Sequence, residues 1–315
     1  MTVETLPSPS GATLCLYATA PQGAPKAVVQ VNHGLAEHAA RYGRFAAFLA
    51  ARGIATFAHD HRGHGGTTAP DAPPGSFKAG ASAKDAAAAV LADVDAVHAE
   101  IARRHPGVPV IVFGHSMGGL IALNHALAHP WKAAGLAIWN TNFTAGLLGR
   151  VAQAILAFER MRLGSDVPSR VLPALTFRDW AKKIPNRRTD FDWLSRDAAE
   201  VEKYIVDPLC GFDASVGMWQ AVLHMVFAGA SDANLATLPR TLPLHLTGGT
   251  ADPATANATA VRDLEARLKR LGFGDVTTRI REGVRHETLN ETNRDEAMAD
   301  FAEWVERIAT SPVAP

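Results

Sequence analysis

The sequence predicts an α/β fold with a mostly parallel sheet, and two patterns in its first part indicate this. Short apolar runs rich in β-branched residues alternate with longer stretches whose apolar residues recur at helical spacing. Alternating strands and helices form parallel sheets with helices on both faces, because each helix returns the chain to the same end of the sheet. With 315 residues and 47% hydrophobic side chains, the chain can bury a large core.

The individual elements follow from local signals. A strand pair begins the chain, with its turn at 7–11. Gly53 ends the first predicted helix as a C-cap glycine would, and Ser82 with Asp85 forms an N-terminal capping pair for the second. The predicted helices cover 41–51 and 82 to about 105, and the predicted strands cover 27–31, 54–58, 110–113 and 135–139.

The pattern changes between residues 141 and 239, where β-type runs disappear and aromatic and aliphatic residues recur at helical spacing. We therefore predict an α/β core over 1–140 and 240–315, with a helical insertion over 141–239 that lies over the functional site as a cap. Strand runs return at 242–247 and 276–280, and helices are predicted over 254–271 and 294–308.

Polar residues follow the predicted strands, at the carboxyl ends where parallel sheets place their functional groups. The most informative stretch is Gly114-His115-Ser116-Met117-Gly118, between an apolar strand and a helical run. The pattern G-x-S-x-G in this context is typical of the nucleophile elbow of an α/β-hydrolase. Glycines flank the serine because a Cβ in so tight a turn would collide with neighbouring backbone.

A serine nucleophile needs a base and an acid that orients the base. In α/β-hydrolases, the acid and then the histidine follow the serine along the chain. Asp252 and His286 fit this order, because each lies just past a predicted strand. Asp232 and Asp263 are weaker alternatives for the acid, since the first falls in the insertion and the second within a helix.

The same chemistry requires N–H donors for the oxyanion of the tetrahedral intermediate. The Met117 amide, at the start of the helix after Ser116, is one candidate. The Leu35 amide is the other, in a loop after an early strand where Gly34 allows close backbone approach.

Four segments resemble the signatures of the monoacylglycerol lipase and lysophospholipase group of α/β-hydrolases, also called the serine aminopeptidase S33 or hydrolase-4 group. They match its H-G-x-x-E-H-x-x-R-Y, D-x-R-G-H-G, G-H-S-M-G and G-x-x-H-E-x-x-N-E patterns and cover the core but not the insertion. The segments are 33–42, 60–65, 114–118 and 283–291.

This resemblance implies an α/β-hydrolase fold in which Ser116, Asp252 and His286 form the catalytic triad. It also implies that Leu35 and Met117 donate to the oxyanion, and that no metal or organic cofactor takes part.

Two other groups of residues have competing interpretations. The pattern H-x-H-x-x-H at His59, His61 and His64 suggests a metal site, but it lacks the acidic ligand of known metallohydrolase patterns. The resemblance explains it as a structural turn in which Asp60 pairs with Arg62. Cys210 lies in no elbow, and we expect a buried structural thiol there.

The predicted function is that of a serine hydrolase for carboxylic esters with an apolar acyl part, such as a monoacylglycerol or a lysophospholipid. Apolar residues of the insertion suit an acyl chain. A general carboxylesterase and an aminopeptidase or amidase are the alternatives on the same fold, and a non-catalytic binding protein is the alternative from another class. An aminopeptidase needs an acid to hold the substrate amine, for which Asp207 and Glu202 are candidates.

Composition bears on location and partners. Lys+Arg and Asp+Glu both number 31, which argues against nucleic-acid binding. Two distant cysteines, no signal-peptide pattern and no membrane-length apolar run predict a cytoplasmic protein. The stretch 143–158 is amphipathic and suits transient contact with a lipid surface, although packing on the core is the favoured interpretation of such a stripe. Oligomeric state, acyl length and substrate-binding residues are left open.

Overall fold

The computed structural model describes residues 1–144 and 146–310 and places one eight-stranded sheet at the centre of the molecule. The strand order is β1-β2-β4-β3-β5-β6-β7-β8. The first strand pairs antiparallel with the second, and the second with the fourth, while β4, β3 and β5 to β8 run parallel. The strands are β1 Thr2–Pro7, β2 Thr13–Thr19, β3 Ala27–Asn32, β4 Ile54–His59, β5 Val110–His115, β6 Gly135–Trp139, β7 Leu244–Gly249 and β8 Val276–Arg281. This confirms the predicted α/β fold.

Helices cover both faces of the sheet. Alternate residues of β5 point to opposite sides of the sheet. Ile111 and Phe113 pack with the helices over 43–51 and 294–310, while Val112 packs with those over 83–104 and 117–128. Strands that are buried on both faces have continuous apolar sequences, and these apolar runs predict the positions of the strands. The helices outside the β6–β7 connection are α1 Gly43–Ala51, α2 Ala83–Arg104, α3 Met117–Ala128, α10 Thr259–Arg270 and α11 Arg294–Thr310.

The chain between β6 and β7 is helical. Its helix α8 (Val216–Gly229) lies against α2 and α3 and buries Met218, Ala221 and Met225 there, so this region shares the larger hydrophobic core. Helix α4 (Gly146–Leu163) also packs on α8, while much of its other surface is exposed. The helices of this region are α4 Gly146–Leu163, α5 Leu172–Leu175, α6 Phe177–Lys182, α7 Ala198–Val206, α8 Val216–Gly229 and α9 Asp232–Leu235.

Two helix starts differ from the sequence prediction. The helix expected from residue 254 begins at Thr259, because Ala256, Asn257 and Ala258 all have positive φ angles between 50° and 67°. The helix expected from residue 41 begins at Gly43, after a 3₁₀ turn over Ala39–Tyr42.

Over the ranges that the structure covers, no helix combines the length and the apolar character that crossing a membrane requires.

Candidate active site

Ser116 lies at the sharp turn between β5 and α3, with φ 54° and ψ −119°. L-residues rarely adopt this conformation, and it persists only where the surrounding structure enforces it. A Cβ on Gly118 would lie 2.0 Å from the Asn32 carbonyl oxygen, and one on Gly114 would lie 2.1 Å from the Gly118 carbonyl oxygen. The turn therefore requires both glycines.

A continuous hydrogen-bonded chain joins Ser116, His286 and Asp252. His286 Nε2 is 2.9 Å from Ser116 Oγ, and His286 Nδ1 is 3.0 and 3.1 Å from the two carboxylate oxygens of Asp252. His286 and Asp252 are both buried. With its proton on Nδ1 donated to the carboxylate, the imidazole presents a lone pair at Nε2 to the serine hydroxyl, which is the geometry of a general base.

The carboxylate of Asp252 is held as an anion by its neighbours. It accepts hydrogen bonds from Asn140 Nδ2 at 3.1 Å, Thr255 Oγ1 at 2.9 Å and the Ala254 amide at 3.0 Å. Burial pushes the pKa of Asp252 up, but His286, Asn140 and Thr255 outweigh it and hold this pKa below its usual value.

The two alternative acids lie elsewhere. Asp232 starts α9 and pairs with Arg267 and Arg270, at 2.9 and 2.6 Å. Asp263 lies within α10, outside the cavity that contains Ser116.

The predicted oxyanion donors lie beside the serine. Leu35 and Met117 both line the same cavity as Ser116 and His286. No hydrogen bond joins either backbone amide to another residue of the described chain, so both N–H groups are available to a ligand. Met117 is also the first residue of α3, where the helix dipole favours negative charge.

A buried network around Glu37 fixes the loop that carries Leu35. Glu37 Oε1 accepts hydrogen bonds from the Gly34 amide at 2.6 Å and the Tyr42 hydroxyl at 2.9 Å. Arg41 binds Glu37 and makes two hydrogen bonds of 2.7 Å to Glu287, beside His286. The network therefore joins the Leu35 loop to the His286 loop.

His115 adds the elbow to this network. Its Nδ1 is 3.3 Å from Glu37 Oε1, and its Nε2 is 3.0 Å from the carbonyl oxygen of His286. Burial lowers the pKa of His115, but Glu37 outweighs this and raises it overall. For Glu37, burial raises the pKa, while Arg41 and His115 hold it well below the usual range. Sequence reasoning missed this network, although the H-G-x-x-E-H-x-x-R-Y pattern contained four of its members, Gly34, Glu37, Arg41 and Tyr42.

The expected pairing of Asp60 with Arg62 is wrong. Arg62 is fully buried and donates to Asp93 of α2 at 2.7 Å. Asp60 instead accepts from the amides of Ala39 at 2.7 Å and Gly66 at 2.8 Å. The two side chains point to different partners because Asp60 closes a backbone turn, while Arg62 anchors that turn to α2.

The neighbouring histidines form a buried cluster. His33 Nδ1 lies 2.7 Å from the Gly34 carbonyl oxygen, and its Nε2 accepts from the His61 amide at 2.9 Å, which fits a neutral ring. Burial lowers the pKa of His33 and His64 to about 3 and that of His59 to about 4. The histidines at this turn are therefore neutral packing groups at ordinary pH.

Helices between β6 and β7 supply much of the cavity wall. The cavity has a volume of about 250 Å³ and contains the Ser116 and His286 side chains. The Trp193 ring lies 5.1 Å from the His286 ring, and Phe177 stacks on Trp193 at 5.8 Å. Further apolar lining residues are Leu120, Trp180, Trp219, Val222, Leu223 and Val226.

The acids proposed for an aminopeptidase do not line this cavity. Asp207 is bound to His38 at 2.8 Å, and Glu202 is exposed beside Arg188. The acidic residues among the described lining are Glu37 and Glu287, and both bind Arg41.

Comparisons with known proteins identify the family from sequence and the fold from structure. The model of the family described as Hydrolase_4, serine aminopeptidase S33, matches residues 23–293. The chain is 30% identical to monoglyceride lipase from Homo sapiens over 299 residues, which cover 93% of this chain and 87% of that protein. It is 27% identical to monoacylglycerol lipase from Mycolicibacterium smegmatis, with 90% of both chains covered. In structure it is similar to a thermostable carboxyl esterase from Bacillus coagulans, with a TM-score of 0.88, 22% identity, and coverage of 98% and 99% of the two chains.

Proposed function

The chain belongs to the serine aminopeptidase S33 (Hydrolase_4) family of α/β-hydrolases and is a serine ester hydrolase, and we propose that it cleaves monoacylglycerols with Ser116 as its nucleophile. The observation that carries this proposal is the hydrogen-bonded chain from Ser116 through His286 to Asp252, on the wall of an apolar cavity. The names of the human and mycobacterial relatives support the substrate class.

Each residue has a defined role in the proposed reaction. His286 Nε2 takes the hydroxyl proton as Ser116 Oγ attacks the ester carbonyl, and Asp252 stabilises the resulting imidazolium. The Leu35 and Met117 amides bind the oxyanion, and the loss of one such donor typically costs about 10²–10³ in kcat. When the tetrahedral intermediate collapses, the C–O bond breaks and His286 protonates the departing glycerol oxygen. Water, deprotonated by His286, then releases the fatty acid from the acyl-enzyme.

The residues that line the cavity favour a substrate with an apolar acyl group. Burial of each methylene group contributes about 0.8 kcal/mol, and Trp219, Val222, Leu223 and Val226 offer an apolar surface to it. An amine-binding site needs a carboxylate without another cationic partner. Because Arg41 already pairs with both Glu37 and Glu287, neither carboxylate is free to bind a substrate amine, and the geometry favours an ester over an aminoacyl substrate.

Contact with a lipid surface is part of the proposal. Helix α4 exposes Leu147, Leu148, Phe158 and Met161, and Leu148 is 85% exposed. Exposed apolar patches of this kind mark interaction surfaces, and a substrate with a long acyl chain resides in membranes and micelles. Cys15 and Cys210 are free thiols, which supports the predicted cytoplasmic location.

The test is a substrate panel: a long-chain monoacylglycerol, a lysophospholipid, a short p-nitrophenyl ester and an aminoacyl anilide. We expect the highest kcat/KM for the monoacylglycerol, with turnover of every substrate lowered by about 10³-fold or more in Ser116→Ala. Turnover of the short ester alone would indicate a general carboxylesterase. Turnover of the anilide would indicate a peptidase, and preference for the lysophospholipid would replace monoacylglycerol in the proposal.

A further inference from the structure

One carboxylate and two histidines that do not line the catalytic cavity meet where α2 passes the C-terminal end of α3. Asp95 lies on α2, His125 lies in the last turn of α3, and His129 caps that helix. Asp95 Oδ1 is 3.2 Å from His125 Nε2 and 3.6 Å from His129 Nε2. One ligand atom from each of the three residues lies within 4.8 Å of the other two.

These separations fit one metal ion. Zn²⁺ binds histidine nitrogen and carboxylate oxygen at about 2.0–2.2 Å in tetrahedral geometry, which places neighbouring ligand atoms about 3.3–3.5 Å apart. The two measured distances fall on either side of that range. The spacing of His125 and His129, four residues apart at a helix end, places both rings on one side of the helix.

The position of His125 also suits a ligand. Its ring is buried, so little solvent competes with an ion for this side chain. His125 Nδ1 has no hydrogen-bond partner within the described chain, which leaves Nε2 as the polar attachment of the ring. Asp95 and His129 are 31% and 36% exposed, so an ion and a water molecule as fourth ligand can enter from solvent.

Lys132 shows that this position accommodates a cation. Its ammonium group donates to Asp95 Oδ1, the same oxygen that both histidines face. A divalent ion at this oxygen would displace the lysine, whose side chain is partly exposed and can turn into solvent.

We propose that Asp95, His125 and His129 form a zinc site that joins α2 to the C-terminal end of α3. Zn²⁺ binds imidazole nitrogen as well as carboxylate oxygen, whereas Mg²⁺ and Ca²⁺ prefer sites built from oxygen alone. The site is structural, since none of its residues lines the catalytic cavity. The ammonium group of Lys132 competes with the ion for Asp95 Oδ1.

The experiment is calorimetric titration of the full-length, chelator-treated protein, free of any histidine tag, with Zn²⁺ and separately with Mg²⁺. We expect saturable binding of one Zn²⁺ by the wild type and none of Mg²⁺. His129→Gln should weaken Zn²⁺ binding by about tenfold or more, because one of three ligands is lost. His224→Gln, which changes an exposed histidine of α8, should leave it unchanged.

Two further variants separate ligation from general structure. Lys132→Met removes the competitor and should strengthen Zn²⁺ binding, an effect that a merely structural lysine would not produce. Asp95→Asn keeps the side-chain volume and should weaken binding as His129→Gln does, with melting curves to show that each variant is folded. Wild-type affinity in both folded ligand variants, or no saturable Zn²⁺ binding by the wild type, would overturn the proposal. Unchanged affinity in Lys132→Met would overturn the role of the lysine.

Discussion

The loops at the carboxyl ends of the strands and the helical region between β6 and β7 contribute to one cavity in different ways. We call them the catalytic edge, which carries Leu35, Ser116, Asp252 and His286, and the insertion, which comprises α4 to α9. At the catalytic edge, buried polar side chains are joined by hydrogen bonds of defined length and direction. The wall that the insertion adds consists largely of aromatic and aliphatic side chains in packing contact.

This difference explains what each region determines. Hydrogen bonds need particular atoms at particular distances, so the catalytic edge accepts few alternatives. Apolar packing needs about the right volume, and many combinations of side chains meet that need. We therefore expect the chemistry to depend on the catalytic edge and the choice of acyl group to depend on the insertion.

The largest expected effect comes from Ser116→Ala. It removes the nucleophile and leaves the backbone of the turn unchanged, so kcat should fall by about 10³-fold or more while the melting temperature stays close to that of the wild type. The measurement is hydrolysis of a short p-nitrophenyl ester, which depends little on the insertion. Turnover near the wild-type rate would show that another residue is the nucleophile.

A second comparison uses one glycine from each region. Gly118→Ala places a Cβ 2.0 Å from a backbone oxygen of β3, and we expect a loss of about 3 kcal/mol in the free energy of unfolding. Gly149→Ala in α4 meets only the Phe227 ring, at 3.2 Å, and gains helix propensity, so its stability should stay within about 1 kcal/mol of the wild type. Urea unfolding measures both, and equal losses would contradict the stricter packing of the catalytic edge.

The sequence predicted the catalytic edge in more detail than the insertion. Strands buried on both faces, the G-x-S-x-G turn and the order of serine, acid and histidine all leave local patterns, so the fold and the residues that meet around His286 could be predicted. The left-handed turn at Ala256–Ala258 could not, because alanine carries no signal for positive φ. The predicted pairing of Arg62 with Asp60 was wrong because Arg62 binds Asp93, which lies on a helix distant in sequence. For the insertion, the spacing of apolar residues predicted helices but not which aromatic rings face the cavity.

Acidic pH should lower the free energy of unfolding, because histidines are buried in neutral form at the catalytic edge. His33, His59 and His64 have folded-state pKa values of about 3, 4 and 3, below the unfolded value near 6.5. Above pH 6.5 neither state binds these protons, so their contribution to stability is complete. Below it, the unfolded chain binds protons that the folded chain excludes. Stability should therefore fall with decreasing pH down to about pH 3–4, by about 1.4 kcal/mol per pH unit for each histidine.

Urea unfolding between pH 7.5 and pH 5 measures this slope. His59→Phe should remove about one histidine's share of it, while His224→Gln, at an exposed position in the insertion, should leave it unchanged. A slope that is the same in His59→Phe and the wild type would show that His59 titrates normally in the folded protein.

The smallest expected effect tests the insertion itself. Trp219 lines the cavity, is almost fully buried and contacts the Phe177 ring at 5.7 Å. Trp219→Leu should lower kcat/KM for a long-chain monoacylglycerol by about tenfold, because it removes apolar contact area from the acyl site. For a short p-nitrophenyl ester, whose acyl part does not need this wall, kcat/KM should hardly change. Trp131→Leu is the matched control, since Trp131 is 82% exposed outside the cavity and should affect neither substrate. If Trp219→Leu slowed both substrates equally, this tryptophan would support the catalytic edge, and the division of roles between the two regions would not hold at this position.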